Sequence, residues 1–222
     1  MEKQKHKERT LRVRKMNRVL EELFPLTLIH LMHGSVWELL VAVILSAQCT
    51  DKRVNQVTKK LFKKYRTIKA YAEASQKEME QAVFSTGFYR NKAKHIRTSA
   101  QMILDTYGGE VPHTMEDLVT LSGVARKTAN VVLSNAYGKQ EGIAVDTHVR
   151  RFAIRFDLSD YIDPIRIERD LMSIMPPRAW WSFNHRLVEY GRAYCPARKH
   201  DCSTHPLTPL YPKAVNVWPK AH

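Results

Sequence analysis

From Thr10 onward the apolar residues Leu11, Val13, Met16, Val19, Leu20 and Leu23 recur at close to helical spacing until Pro25 stops the run, which predicts a first helix. Ser35-Val-Trp-Glu38 has the spacing of a capping box and opens a second helix, Trp37 to Gln48. That segment is apolar on almost every side and belongs in a core. Thr50 caps a helix carrying Val54, Val57, Leu61 and Phe62, and Ser75-Gln-Lys-Glu78 is another capping box, for a helix that ends at Gly87. The same signals place helices at Asn91 to Tyr107, Met115 to Thr120, Arg126 to Tyr137, Thr147 to Phe156, Pro164 to Met175 and Ala179 to Ala193. About ten helices and almost no strand signal predict an all-α fold. The charged segment before Thr10 is expected to fray.

Composition narrows the partner. With 222 residues, 44% of them hydrophobic, the chain is folded material large enough for one large core or two lobes. Lys plus Arg outnumber Asp plus Glu by 36 to 22, a net charge of +14, which points to a polyanion and first of all to nucleic acid. The longest apolar run, Val36 to Leu45, is broken by Glu38 and is about half the ~20 residues of a bilayer span, so no membrane is expected. The first ten residues hold no apolar signal segment, and the expected location is the cytoplasm, at the nucleoid. An odd count of three cysteines, Cys49, Cys195 and Cys202, argues against a disulfide framework and leaves thiols or metal ligands.

The stretch Leu118-Val-Thr-Leu-Ser-Gly-Val-Ala-Arg-Lys-Thr-Ala-Asn-Val-Val132 reads as a short helix, a turn at Gly123 and a second helix. Glycine lets the backbone turn tightly and approach a phosphate, while the amides that open the next helix face the anion. Such a hairpin holds a nucleic-acid strand without reading its bases. Taken alone, a helix-Gly-helix turn is equally a plain structural connection.

Two more segments bear on this: Leu45-Ser-Ala-Gln-Cys-Thr-Asp51 before it and Ala144-Val-Asp-Thr-His-Val-Arg-Arg151 after it. In this order and spacing the three resemble the helix-hairpin-helix DNA glycosylases, specifically endonuclease III, over about residues 10 to 202. The resemblance implies two all-helical lobes with a DNA cleft between them. One is a six-helix barrel over about residues 26–133, with the helix-hairpin-helix at about 115–132; the other is built from 1–25 and 134–222. It also implies double-stranded damaged DNA as partner, a monomeric enzyme, and removal of oxidised pyrimidines followed by strand nicking.

By the same resemblance Lys127 is the nucleophile that attacks C1′ and forms a Schiff base, and β-elimination then breaks the strand. Asp146 is implied to stabilise charge at C1′ and to assist proton transfer. Alone, a helix-start lysine pairs with phosphate and Asp146-Thr147 is an ordinary N-cap; their pairing in matching motifs carries the role. A base leaving the stack must be replaced. Gln48 matches the family's polar plug and Phe88 its apolar wedge, where leucine is usual; a loop phenylalanine could instead pack on its own lobe. Gly123, Ala125, Thr128 and His148 are implied DNA contacts, and Arg198 and Lys199 implied phosphate contacts. The alternatives are an abasic-site lyase with little glycosylase activity and a non-catalytic DNA-binding protein. Retention of both Lys127 and Asp146 argues against the second.

The chain departs from the family at two places. In the hairpin, Ser122 stands where proline is usual and Ala125 where glycine is frequent, which is expected to loosen it slightly. At the C-terminus, the family's Cys-x6-Cys-x2-Cys-x5-Cys cluster motif reads Cys195-x6-Cys202-x2-His205-x5-Tyr211. Two of four ligands are missing, and Cys49 belongs to the other lobe, so no iron–sulfur cluster is expected. Zinc on Cys195, Cys202 and His205, with or without His200, is disfavoured because His200 and Cys202 are too close for ordinary zinc spacing. No metal or other cofactor is expected, only a degenerate loop over 195–211 held by apolar residues such as Leu207, Tyr211 and Trp218.

Overall fold

A computed structural model describes residues 2–219, and among these every regular element is helical. The chain divides into two compact units, residues 29–139 and residues 1–28 with 140–222. These breaks fall a few residues beyond the 25/26 and 133/134 implied by the resemblance: Ile29 is the first residue to pack on the core of the first unit, and Tyr137 still packs on it. No helix among the described residues is long and apolar enough to cross a membrane.

The first unit is assembled around α2 (Val36–Ser46), whose Leu39, Leu40, Val41, Ala42 and Leu45 are fully buried. Its start is fixed reciprocally: the Glu38 amide donates to Ser35 Oγ at 3.2 Å, and the Gly34 amide donates to the Glu38 carboxylate at 2.6 Å. Helices α3 (Asp51–Lys64), α6 (Tyr89–Thr106) and α8 (Arg126–Ala136) pack against α2, and α4 (Ile68–Glu73) and α5 (Gln76–Val83) pack on α6. Helix α4 is too short to show a period in the sequence and forms because Thr67 caps it. Helix α7 (Met115–Leu118) precedes α8 and stops two residues short of the expected Thr120.

The second unit joins α1 (Glu2–Leu23) to α9 (Thr147–Arg155), α10 (Pro164–Ile174) and α11 (Trp180–Ala193). Val13, Met16 and Leu20 of α1 share a core with Phe152, Leu171, Phe183 and Leu187. Helix α1 begins at Glu2, so the leader does not fray as the sequence suggested. It is held by charge: Lys5 pairs with Asp160, and Arg9 binds Asp157 and Asp160, each at 2.8 Å. Arg12 donates to the Phe156 and Asp157 carbonyls at 2.8 and 2.7 Å. Those carbonyls end α9, where Asp157 turns left-handed (φ +46°) and the Leu158 amide closes back on the Ala153 carbonyl at 2.8 Å.

Hydrogen bonds from Arg9 and then Lys5 hold the Asp160 carboxyl down to about 2. A carboxyl depressed in the folded state stabilises above its unfolded pKa near ~4, and the contribution disappears as pH falls toward 2. Acid unfolding of Asp160→Asn is therefore expected to lack that part of the wild-type stability loss below pH ~4. Superimposable acid curves would show that the leader helix is held some other way. Arg9→Ala should cost about 1–2 kcal/mol in urea unfolding, since its partners are partly exposed.

Candidate functional site

The helix-hairpin-helix turns at Gly123, whose φ of +76° already favours glycine. An added Cβ would also lie 2.7 Å from His95 Cγ, so glycine is required twice over. Ser122 does not leave the turn loose: its Oγ lies 2.9 Å from His95 Nδ1, and its carbonyl accepts from Ser99 Oγ at 2.9 Å. The small residue has been given partners on α6. Ala125 is the N-cap of α8 and offers no side-chain oxygen to the amides of the first turn. Those amides can donate to an anion from outside the protein. Lys127 lies exposed in that first turn and Thr128 is half-buried behind it.

Gln48 and Phe88 occupy matching positions in their loops. Both are exposed and both are left-handed, with φ of +51° and +48°. For non-glycine residues that conformation costs about 1–3 kcal/mol each and is kept only where surrounding structure enforces it. Phe88 is 63% exposed and so does not pack on its own unit. What enforces both turns is Lys92, which is 3% exposed. Its ammonium donates to the Leu45 carbonyl at 2.8 Å and the Thr86 carbonyl at 2.7 Å, one just before each loop. Burial pushes the Lys92 ammonium below its ordinary range. Lys92 was missed in the sequence, though its spacing with Ala93, Ile96, Ser99 and Ala100 sets it on the buried stripe of α6.

In the second unit Asp146 caps α9, its Oδ1 accepting from the Val149 amide at 2.8 Å. Half-buried His148 sits where α9 meets α11: a Cβ on Gly191 would fall 2.2 Å from its Nδ1. Burial holds this imidazole below its ordinary range and so favours its neutral form. Arg151 donates to the Cys195 carbonyl at 2.8 Å, tying α9 to the C-terminal loop. Arg198 and Lys199 are exposed on that loop. The first unit thus carries Gln48, Phe88, Gly123, Ala125, Lys127 and Thr128, and the second carries Asp146, His148, Arg198 and Lys199.

Residues 41–177 match the model of the HhH-GPD superfamily base excision DNA repair proteins. Endonuclease III of Synechocystis sp. is 48% identical over 88% of this chain and 90% of its own length, and that of Bacillus subtilis 45% over 85% and 86%. The chain belongs to the endonuclease III family. As an endonuclease III relative at this identity it is a DNA glycosylase/AP lyase of base excision repair. Among solved structures, an endonuclease III trapped covalently on DNA is 42% identical with a TM-score of 0.88, covering 93% of this chain and 97% of that one. A thermostable thymine-DNA glycosylase, 20% identical with a TM-score of 0.75 over 92% and 95%, shares the fold.

Endonuclease III proteins usually hold a four-thiolate iron–sulfur cluster in this C-terminal loop, and the residues here do not fit one. Cys195 and Cys202 are the only thiols in their unit, and the Arg155 guanidinium donates to both sulfurs, at 2.8 and 2.9 Å. Tyr211, at the fourth ligand position, carries Arg12 over its ring at 4.2 Å. The sulfurs are thus turned to a cation of the protein's own. Arg155 was also missed in the sequence, although it lies on the apolar face of α9 with Phe152.

Lys92→Met would leave the Leu45 and Thr86 carbonyls buried without a donor. The expected loss is about 2–4 kcal/mol in urea unfolding. A loss under about 0.5 kcal/mol, on the order of a neutral surface change, would mean that the loops hold their own shape.

Proposed function

We propose that this endonuclease III removes oxidised pyrimidines from double-stranded DNA and nicks the strand, with Lys127 as nucleophile. The observation that carries this reading is the exposed lysine in the first turn of α8, directly behind a glycine turn whose amides lack a side-chain cap. An anion at those amides holds the phosphate backbone while the amine reaches the sugar. The neutral amine of Lys127 attacks C1′, the base leaves, and the resulting Schiff base acidifies the 2′ proton, so that elimination expels the 3′ phosphate. Asp146 stabilises the positive charge that develops at C1′. Its role as N-cap of α9 fixes the carboxylate for this purpose. The relative trapped covalently on DNA supports a covalent route.

Gln48 and Phe88 fill the space that the flipped nucleotide vacates. Their exposure and enforced left-handed turns suit side chains that must project into a duplex. Gly123, Ala125 and Thr128 bind backbone phosphate through the hairpin, and Arg198 and Lys199 add phosphate contacts from the loop. His148, half-buried two residues after Asp146, adds a further DNA contact. The protein works as a monomer at the nucleoid.

Borohydride is expected to trap the wild-type protein on abasic-site and thymine-glycol duplexes, and Lys127→Ala to abolish the adduct while binding DNA within a few-fold of wild type. An undiminished adduct in that variant would remove Lys127 from the mechanism. Asp146→Asn keeps the cap but should slow base removal by at least about 10²-fold. Gln48→Ala and Phe88→Ala should impair excision of an intact damaged base more than cleavage at a preformed abasic site, where less stacking is broken. Equal losses on both substrates would assign these two residues to the fold alone.

A further inference from the structure

The C-terminal loop brings Cys195, His200 and His205 together: the thiol sulfur and one ring nitrogen of each histidine all lie within 4.8 Å of one another. These are three of the four residues weighed from the sequence, with Cys202 left out. His200 Nδ1 lies 2.6 Å from the Arg198 carbonyl, so that nitrogen carries the proton and Nε2 carries a lone pair. His200 Nε2 is buried with no hydrogen-bond partner, and so is His205 Nδ1. Two buried ring nitrogens without a partner beside one thiol leave donor atoms that an ion could satisfy. A second imidazole nitrogen anchored on a backbone carbonyl is also the usual arrangement of a metal-bound histidine.

Arg155 lies against the same sulfur. It is 1% exposed, its polar partners are the Ala214 carbonyl and the sulfurs of Cys195 and Cys202, and its other face lies 4.1 Å from the Trp218 ring.

We propose that Cys195, His200 and His205 bind a single zinc ion in place of the family's iron–sulfur cluster. One sulfur and two imidazole nitrogens form a borderline-soft set that suits zinc. On binding, the Cys195 thiol releases its proton to solvent, its sulfur and the two ring nitrogens each donate an electron pair to the ion, and no redox step is involved. The Cys195 sulfur keeps its hydrogen bond from Arg155. Tetrahedral zinc has ligand–ligand edges of roughly 3.3–3.6 Å, so the three groups draw in by about 1 Å. Both histidines stand on a loop and are only half-buried. Cys202 lies outside the group, and water fills the fourth position. The ion would then fasten the loop between Cys195 and His205 in the way two missing cysteines no longer do.

The test uses the full-length protein, stripped with a chelator and dialysed against zinc chloride, with metal measured by mass spectrometry. One zinc per chain is expected, with a rise in thermal midpoint. Cobalt chloride in place of zinc should give a thiolate-to-cobalt charge-transfer band. His200→Ala and His205→Ala should each weaken zinc binding at least tenfold while circular dichroism stays unchanged, and Cys195→Ser should abolish the charge-transfer band. Should Cys195→Ser fail to fold, the two histidine variants decide the matter. Wild-type protein that takes up no zinc above a control protein, histidine variants that bind it as well as wild type, or stoichiometric iron and sulfide in freshly purified protein would each overturn the proposal. None of these readouts involves DNA, so their failure is separate from failure of the lyase assignment.

Discussion

The end of a buried α-helix leaves carbonyls without amide partners, and in an all-helical protein the number of such ends is large. This chain satisfies several of them with cationic side chains. Lys92 reaches the last turn of α2, Arg12 the end of α9, Arg97 the Ala74 carbonyl behind α4, Arg151 the Cys195 carbonyl behind α11, and Arg186 the Phe24 carbonyl behind α1. The negative end of each helix dipole favours the arrangement further. Where such a cation is itself buried, the carbonyls and the cation depend on each other, and removing either leaves a polar group stranded.

This constraint shapes the site. The turns that present Gln48 and Phe88 are strained, yet each comes just after a carbonyl that the single Lys92 ammonium holds. One side chain thereby sets two loops far apart in sequence, and exposed residues keep defined positions without packing of their own. The hairpin uses a different device: Gly123 is forced by the His95 ring, and Ser122 is drawn onto that same ring. The buried cations also change the meaning of the basic composition. Arg9, Lys92, Arg151, Arg155 and Arg186 are internal, so the number of basic residues overstates how many can touch a phosphate.

In the C-terminal loop a shared fold has lost part of a cofactor motif, and the chain's own side chains have closed over the gap. Arg155 lies on the two remaining sulfurs, Trp218 covers its outer face, and Tyr211 serves Arg12 as a platform where a fourth ligand would stand. Leu207 and Ala214 are buried in the same core as α1 and α11. Most of the loop is therefore held by packing and by Arg155. The two histidine nitrogens are the part that such packing leaves unsatisfied.

The sequence alone determined the helical class, most helix boundaries and the family. Caps and periods are local signals, and the motifs around Gln48, Gly123, Lys127 and Asp146 are contiguous enough to recognise. It missed α4, which is shorter than the period needed to reveal it, and it left the leader frayed because the carboxylates that bind Lys5 and Arg9 lie some 150 residues away. Tertiary structure alone decided which charges are internal. A lysine on a helix face and an arginine beside a phenylalanine read as solvated groups until the carbonyls and sulfurs they bind are brought to them from distant segments. Likewise the spacing of Cys195, His200, Cys202 and His205 along the chain argued against a shared ligand set, since spacing constrains regular elements. The loop is irregular, and its fold, not its spacing, set His200 and His205 beside the Cys195 sulfur and laid Arg155 across both sulfurs.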